Sequence, residues 1–160
     1  MTLSIRPIQI EDNPILARII RNVFEEFDAP RKGTVYEDST TDKLYNYFHT
    51  EGAIGLVAEH NQKVVGCCGI YPTEGLDHQT AEVVKFYLQK EARGRGLGKI
   101  LLEKSIENAK ELGYKNLYIE SLEQFNSAVS LYRKYGFEPL QKRLGNSGHI
   151  GCPLWFLKKL

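Results

Sequence analysis

The sequence predicts one α/β domain, residues 1–160, with a mixed, mostly antiparallel sheet of about seven strands flanked by about four helices. Three observations predict it. The 160 residues, 42% apolar and 26% charged, suffice for one core and hardly for two. Apolar positions switch along the chain between a two-residue period and a helical one. A two-residue link early in the chain forces an antiparallel pair of strands, whereas a later helix-length crossover makes another pair parallel.

Residues 3–7 (LSIRP) alternate as a first strand. From Glu11 the apolar positions Ile15, Leu16, Ile19, Ile20, Val23, Phe24 and Phe27 recur at helical spacing. Pro14 falls in the first turn, where its missing N–H does no harm. The stretch 28–40 (DAPRKGTVYEDST) holds Pro, Gly and short polar residues and reads as a loop before a short helix carrying Leu44, Tyr45, Tyr47 and Phe48. Two β-rich runs, 53–60 and 63–71, are joined by Asn61 and Gln62 alone and form a hairpin, and a third, 81–89 (AEVVKFYLQ), extends the meander. A glycine turn then opens a helix with Leu97, Ile100, Leu101 and Leu112 on its apolar positions and Gly113 at its end. Strand 116–121 follows, parallel to 81–89. A last helix spans 125–135, and two final strands are expected at about 137–143 and 149–158.

Lys and Arg number 21 and Asp and Glu 20, a balance of +1 that argues against nucleic acid and acidic membrane surfaces as partners. No apolar run approaches the roughly 20 residues of a membrane helix. The N-terminal MTLSIRPIQIEDN lacks the basic-then-apolar order of a secretion signal, so the expected compartment is the cytoplasm. Cys67, Cys68 and Cys152 form neither an even set nor a C-x-x-C pair and read as small buried hydrophobes. His49, His60, His78 and His149 lack metal-ligand spacing, so no metal is expected.

The most informative stretch is Arg93-Gly94-Arg95-Gly96-Leu97-Gly98-Lys99, placed directly after a strand and opening a helix. Alternating glycines let consecutive backbone N–H groups converge on one oxygen anion, and the helix behind adds its positive end. Between Lys85 and Lys104 six cations face two acids, which suits a small polyphosphate. A Walker A loop needs G-x-x-x-x-G-K-S/T, and here Lys99 is followed by Ile100. A dinucleotide fingerprint needs G-x-G-x-x-G and repeated βαβ units; Glu120 at the next strand's end imitates its ribose-binding acid, but the upstream strands are antiparallel.

These residues resemble the GNAT superfamily of N-acetyltransferases. Arg93 to Gly98 matches its acetyl-CoA signature, Q/R-x-x-G-x-G/A, and Asn126 to Phe137 (NSAVSLYRKYGF) looks like its N-x-x-A-x-x-L/F-Y-x-K-x-G-F motif from Ala128 onward, with Asn126 two rather than three places before that Ala. The order of elements from residue 3 to 158 is also the family's. The resemblance implies a GNAT fold with splayed parallel central strands, and acetyl-CoA as co-substrate. The pyrophosphate would sit on the turn from Arg93 through Gly94, Arg95, Gly96, Leu97 and Gly98 to Lys99. The pantetheine arm would pair with the backbone of Phe86, Tyr87 and Leu88, with Asn126 bonding it. The N–H of Leu88 would polarise the acetyl carbonyl, and Tyr132 would protonate the departing thiolate.

Transfer to an amine needs the neutral amine, hence a base. Glu82 takes that place by resemblance to the strand glutamate of histone-modifying members, and two-residue alternation puts it on one face with Val84, Phe86 and Leu88. Glu74 and Glu120 are the substitutes, and a strand-end Glu facing solvent is the bland alternative. The segment 24–38 brings Glu25, Glu26, Asp28, Glu37 and Asp38 together with Phe27 and Tyr36, a composition that suits a cationic amine or a solvated helix end. His149 lies in GNSGHIGCP, which reads as loop punctuation near the family's acceptor pockets. The expected activity is acetyl transfer to a primary amine of a small molecule or peptide by direct attack in a ternary complex. A non-catalytic CoA-binding module of the same fold is the alternative, and a homodimer through an exposed strand edge is compatible with either.

Overall fold

The computed structural model describes residues 2–160. Strand β1 (Leu3–Pro7) leads through a 3-10 turn into helix α1 (Asn13–Glu26), and a short helix α2 (Leu44–Phe48) follows a long loop. Then come β2 (Ile54–His60), β3 (Lys63–Tyr71), β4 (Thr80–Leu88), helix α3 (Leu97–Glu111), β5 (Asn116–Ser121), helix α4 (Asn126–Lys134), β6 (Glu138–Pro139) and β7 (Leu154–Lys159). The strands form one sheet in the order β1-β2-β3-β4-β5-β7-β6, in which β4 and β5 alone are parallel. The α/β class, the seven strands and the mixed sheet are those read from the sequence.

The β2–β3 link turns through Asn61 and Gln62 with φ of 51° and 67°, the left-handed pair of a type I′ hairpin. Helix α1 begins at Asn13 rather than Glu11, because the Asp12 carboxylate accepts the Gln9 N–H at 2.7 Å and a bidentate pair from Arg6. Its buried face carries Leu16, Ile19, Ile20, Val23 and Phe24, each contributing about 1.5–3 kcal/mol by leaving water. That face packs on one side of the sheet with Leu44, Phe48, Val84 and Tyr87; α3 packs on the other through Leu97, Leu101, Leu102 and Ile106, with Phe86 and Leu88.

Two expectations are corrected. The first final strand shrinks to two residues and the second begins at Leu154, because the chain between them leaves the sheet. It docks instead on two loops, with Asn146 N–H on the Glu74 carbonyl at 2.7 Å and Gly151 N–H on the Gly33 carbonyl at 2.8 Å. The second correction concerns β4. Gly69 pairs with Val84 and Cys67 with Tyr87, so Cys68 alone faces both Lys85 and Phe86. This is a β-bulge, and within it Lys85 takes a left-handed φ of 56°. Alternation therefore holds from Glu82 to Val84 and resets: Phe86 and Leu88 turn to the α3 side, while Val84 and Tyr87 stay on the α1 side. No helix among the described residues is long and apolar enough to cross a membrane.

Candidate active site

Strands β4 and β5 pair only at Thr80, Ala81 and Glu82, against Asn116, Leu117 and Tyr118. Past Glu82 they part, and the gap opens into a cavity of about 620 Å³ running from the glycine turn to His149. Backbone direction decides what the gap offers. The N–H of Gln89 bonds the Val65 carbonyl, and that of Tyr87 is engaged by Cys67, so both point to β3. The N–H groups of Phe86 and Leu88 therefore face the gap, because they alternate along a strand. The Leu88 carbonyl is taken by Arg93 Nε at 3.1 Å and Nη2 at 2.9 Å, and the same guanidinium holds Glu26 at 2.6 and 2.9 Å.

The glycine turn has the shape its sequence suggests. Gly94 and Gly96 take φ of 76° and 79°, and a Cβ on either would meet nothing within 4 Å, so they face open space in front of α3. Backbone N–H groups and the helix end thus present positive charge to a free volume, which fits a phosphate ligand. Gly98 differs: a Cβ there would sit at an ordinary 3.5 Å from Leu88 and Phe86, so nothing inside the protein requires glycine. Lys99 is exposed and lies 3.9 Å from Glu103. Lys85 does not belong to this basic end; its ammonium is buried on the α1 side, 3.4 Å from Asp38 Oδ2 and 5.2 Å from the centre of the Tyr47 ring.

At the other end of the cavity, Glu82 is 3% exposed and accepts a hydrogen bond from the Thr73 hydroxyl at 2.7 Å. Burial, then the charge of Glu120, push its carboxyl up to about 8, against the pull of Thr73 and Lys85. Glu120 receives the hydroxyls of Tyr118 at 2.7 Å and Ser147 at 2.5 Å, and Arg143 Nε lies 3.3 Å away. His149 Nε2 is 2.7 Å from Asp38 Oδ2. Burial raises Asp38, but the bond to His149, the charge of Lys85 and Thr40 outweigh it and hold the carboxyl well below its usual range. A nitrogen of His149 and one oxygen each of Glu82 and Glu120 lie within 4.8 Å of one another, a set able to hold a cation. Residue spacing cannot show this set, since its members come from β4, β5 and the loop before β7.

Tyr132 projects from α4 into the cavity wall, 5% exposed, with the rings of Phe86, Phe137 and Phe156 each centred 6.0 Å away. Burial pushes its phenol well above the ordinary value. Asn126 is exposed at the first turn of α4 and lines the same cavity. Residues 20–137 match the Acetyltransferase (GNAT) family. The chain belongs to that family.

A relative from Escherichia coli (strain K12), "Uncharacterized N-acetyltransferase YjgM", is 35% identical over 156 residues, covering 97% of this chain and 93% of that protein. Two solved structures share the GNAT fold at lower identity. An acetyltransferase of the GNAT family from Staphylococcus aureus Mu50 aligns with a TM-score of 0.84 at 21% identity, over 99% of each chain. The PaiA N-acetyltransferase from Thermoplasma acidophilum, solved in complex with coenzyme A, aligns with a TM-score of 0.76 at 20% identity, over 100% of each. This GNAT member is an acyltransferase, and acetyl-CoA is the co-substrate that its turn and gap fit.

Most of the acids expected at the acceptor end of this GNAT domain are spent elsewhere. Glu26 holds Arg93; Glu25 lies 3.3 Å from the Tyr36 hydroxyl and 3.9 Å from Arg31, and neither acid lines the cavity. Exposed helix-end acids find arginines more readily than they line a pocket. Asp38 alone of the five reaches the buried cluster. What the sequence reading misses is the pairing of the loop around Asp38 with the loop around His149. Gly33 and Gly151 signal it, since a Cβ on Gly151 would lie 2.6 Å from the Lys32 carbonyl oxygen. Gly151→Ala is expected to lower Tm by roughly 2–8 °C, for an overpacking cost of about 1–2 kcal/mol, and to slow turnover with acetyl-CoA affinity unchanged. Thermal melts and calorimetry check both halves.

Proposed function

We propose that this protein transfers the acetyl group of acetyl-CoA to the nitrogen of a primary amine, of a peptide or small molecule, by direct attack in a ternary complex. Acetyl-CoA supplies an activated thioester. The backbone N–H groups of residues 93–98 receive its pyrophosphate, and those of Phe86 and Leu88 receive the arm in the gap. Phe86 N–H, the nearer of the two to Glu82, is the donor for the acetyl oxygen, where negative charge develops as the amine attacks, in place of the Leu88 N–H that the resemblance implies. Tyr87 turns its backbone to β3 and its ring to the α1 side, where with Phe24 and Phe125 it walls the acceptor's approach.

Glu82 takes the proton that the arriving ammonium must lose, and the buried, raised carboxyl there is the observation that carries this reading. Tyr132 gives a proton to the departing sulfur and regains one from the nitrogen. The burial that raises its phenol disfavours a thiolate in the same place, so the two stay matched. Calorimetry with acetyl-CoA is expected to give a Kd below about 100 μM. Release of CoA is then measured with spermine, tyramine and a short peptide with a free alanine N-terminus. Tyr132→Phe is expected to lower kcat by about 10-fold or more with little change in KM for acetyl-CoA. An unchanged kcat removes Tyr132 from the acid role, and binding without release on every amine favours the non-catalytic module.

A further inference from the structure

A base as deep as Glu82 must pass on one proton per turnover, and at 3% exposure it meets solvent only through the cavity that the bound substrates fill. The groups around it divide clearly. On its own strand Lys85 is a buried cation already paired with Asp38, its side chain 1% exposed. From the loop after β3, Thr73 donates its hydroxyl proton to Glu82. From β5, Glu120 is a second carboxylate with a side chain 1% exposed, filled by Tyr118, Ser147 and Arg143. From the loop before β7 comes His149, whose side chain at 11% exposure reaches the rim, and whose two ring nitrogens can between them take and give a proton.

We infer that His149, held by Asp38, is the relay through which Glu82 exchanges its proton with solvent. This rests on Glu82 being the base. A ring nitrogen of His149 lies within 4.8 Å of a carboxylate oxygen of Glu82, a distance that one water spans. The N–H bond of the substrate ammonium breaks as an O–H bond forms on Glu82. That O–H breaks as an N–H bond forms on His149, and the imidazolium releases the proton at the rim. No electron changes hands and the carboxylate is restored.

The surroundings hold the ring in place. Asp38 stays ionised 2.7 Å from Nε2, ready to stabilise an imidazolium. Arg143 Nη2 fixes the loop through the carbonyls of His149 at 3.2 Å and Cys152 at 3.3 Å, and Ser147 Oγ accepts the His149 N–H at 3.1 Å. Lys85 lies across Asp38, so Asp38→Asn also leaves the buried Lys85 ammonium without its carboxylate. His149 acts through Glu82 and is a positioning residue in this scheme.

His149→Ala is expected to lower kcat by about 10-fold or more, with KM for acetyl-CoA unchanged, and added imidazole is expected to restore much of the loss. Asp38→Asn is expected to lower kcat without such rescue. A wild-type kcat in His149→Ala, or a loss that imidazole leaves untouched, overturns the relay while leaving Glu82 as base. Full activity in Glu82→Gln overturns the base itself.

Discussion

Replacing Glu82 by Gln is expected to lower kcat by about 10²- to 10⁴-fold while acetyl-CoA still binds, because the amide keeps the shape and the Thr73 contact but accepts no proton. Steady-state kinetics and calorimetry separate the two. The wild type is expected to gain activity as pH rises through about 8, since the carboxylate is the working form and burial holds the proton on until then. Stability runs the other way. Between the ordinary carboxylate value of 4.5 and about 8, the folded protein keeps a proton that the unfolded chain has lost. Wild-type stability therefore falls with rising pH over that window and levels off above it. Glu82→Gln lacks this fall, so near pH 8 it is expected to be the more stable protein, by an amount on the order of a few kcal/mol. A variant that is inactive and also less stable at that pH speaks against a buried, protonated Glu82.

Gly96→Val is expected to weaken acetyl-CoA binding by at least about 30-fold, or about 2 kcal/mol. Gly96 has φ of 79°, where a β-branched residue is strained by about 1–2 kcal/mol. The turn either twists out of that conformation and scatters its N–H groups, or keeps it and projects an isopropyl group into the free space ahead of α3. The apo protein is expected to lose only roughly 2–8 °C in Tm, since nothing of the protein lies within 4 Å of the new Cβ. Gly98→Ala is the companion, as its methyl finds ordinary 3.5 Å contacts within the fold. Any loss of affinity there reports the ligand rather than the scaffold. Affinity unchanged in Gly96→Val removes the turn from cofactor binding.

The glycine turn and its place between a strand and a helix were legible because their signals are local. A turn needing φ above zero announces itself by Gly94 and Gly96, and a strand followed by a helix places it. The acceptor half was not legible, because it is assembled from residues far apart in the chain. Asp38, Lys85, Glu120 and His149 meet only after β4 and β5 lie side by side and two loops close over them. Charge counting misplaced Lys85 among the phosphate-binding cations, since a sequence does not show which way a side chain leaves a strand. Period-two reading misplaced Phe86 and Leu88 for a related reason: a single extra residue is invisible to it until the pairing partner is seen.

That extra residue also says something about how this strand is put together. With Lys85 struck out, the remaining run Glu82, Val83, Val84, Phe86, Tyr87, Leu88 alternates between the two cores without a break. The strand is thus interrupted at one position, on its β3 side, within the stretch that borders the gap on its β5 side. Deleting that one residue is expected to leave every apolar side chain of the strand on its own side.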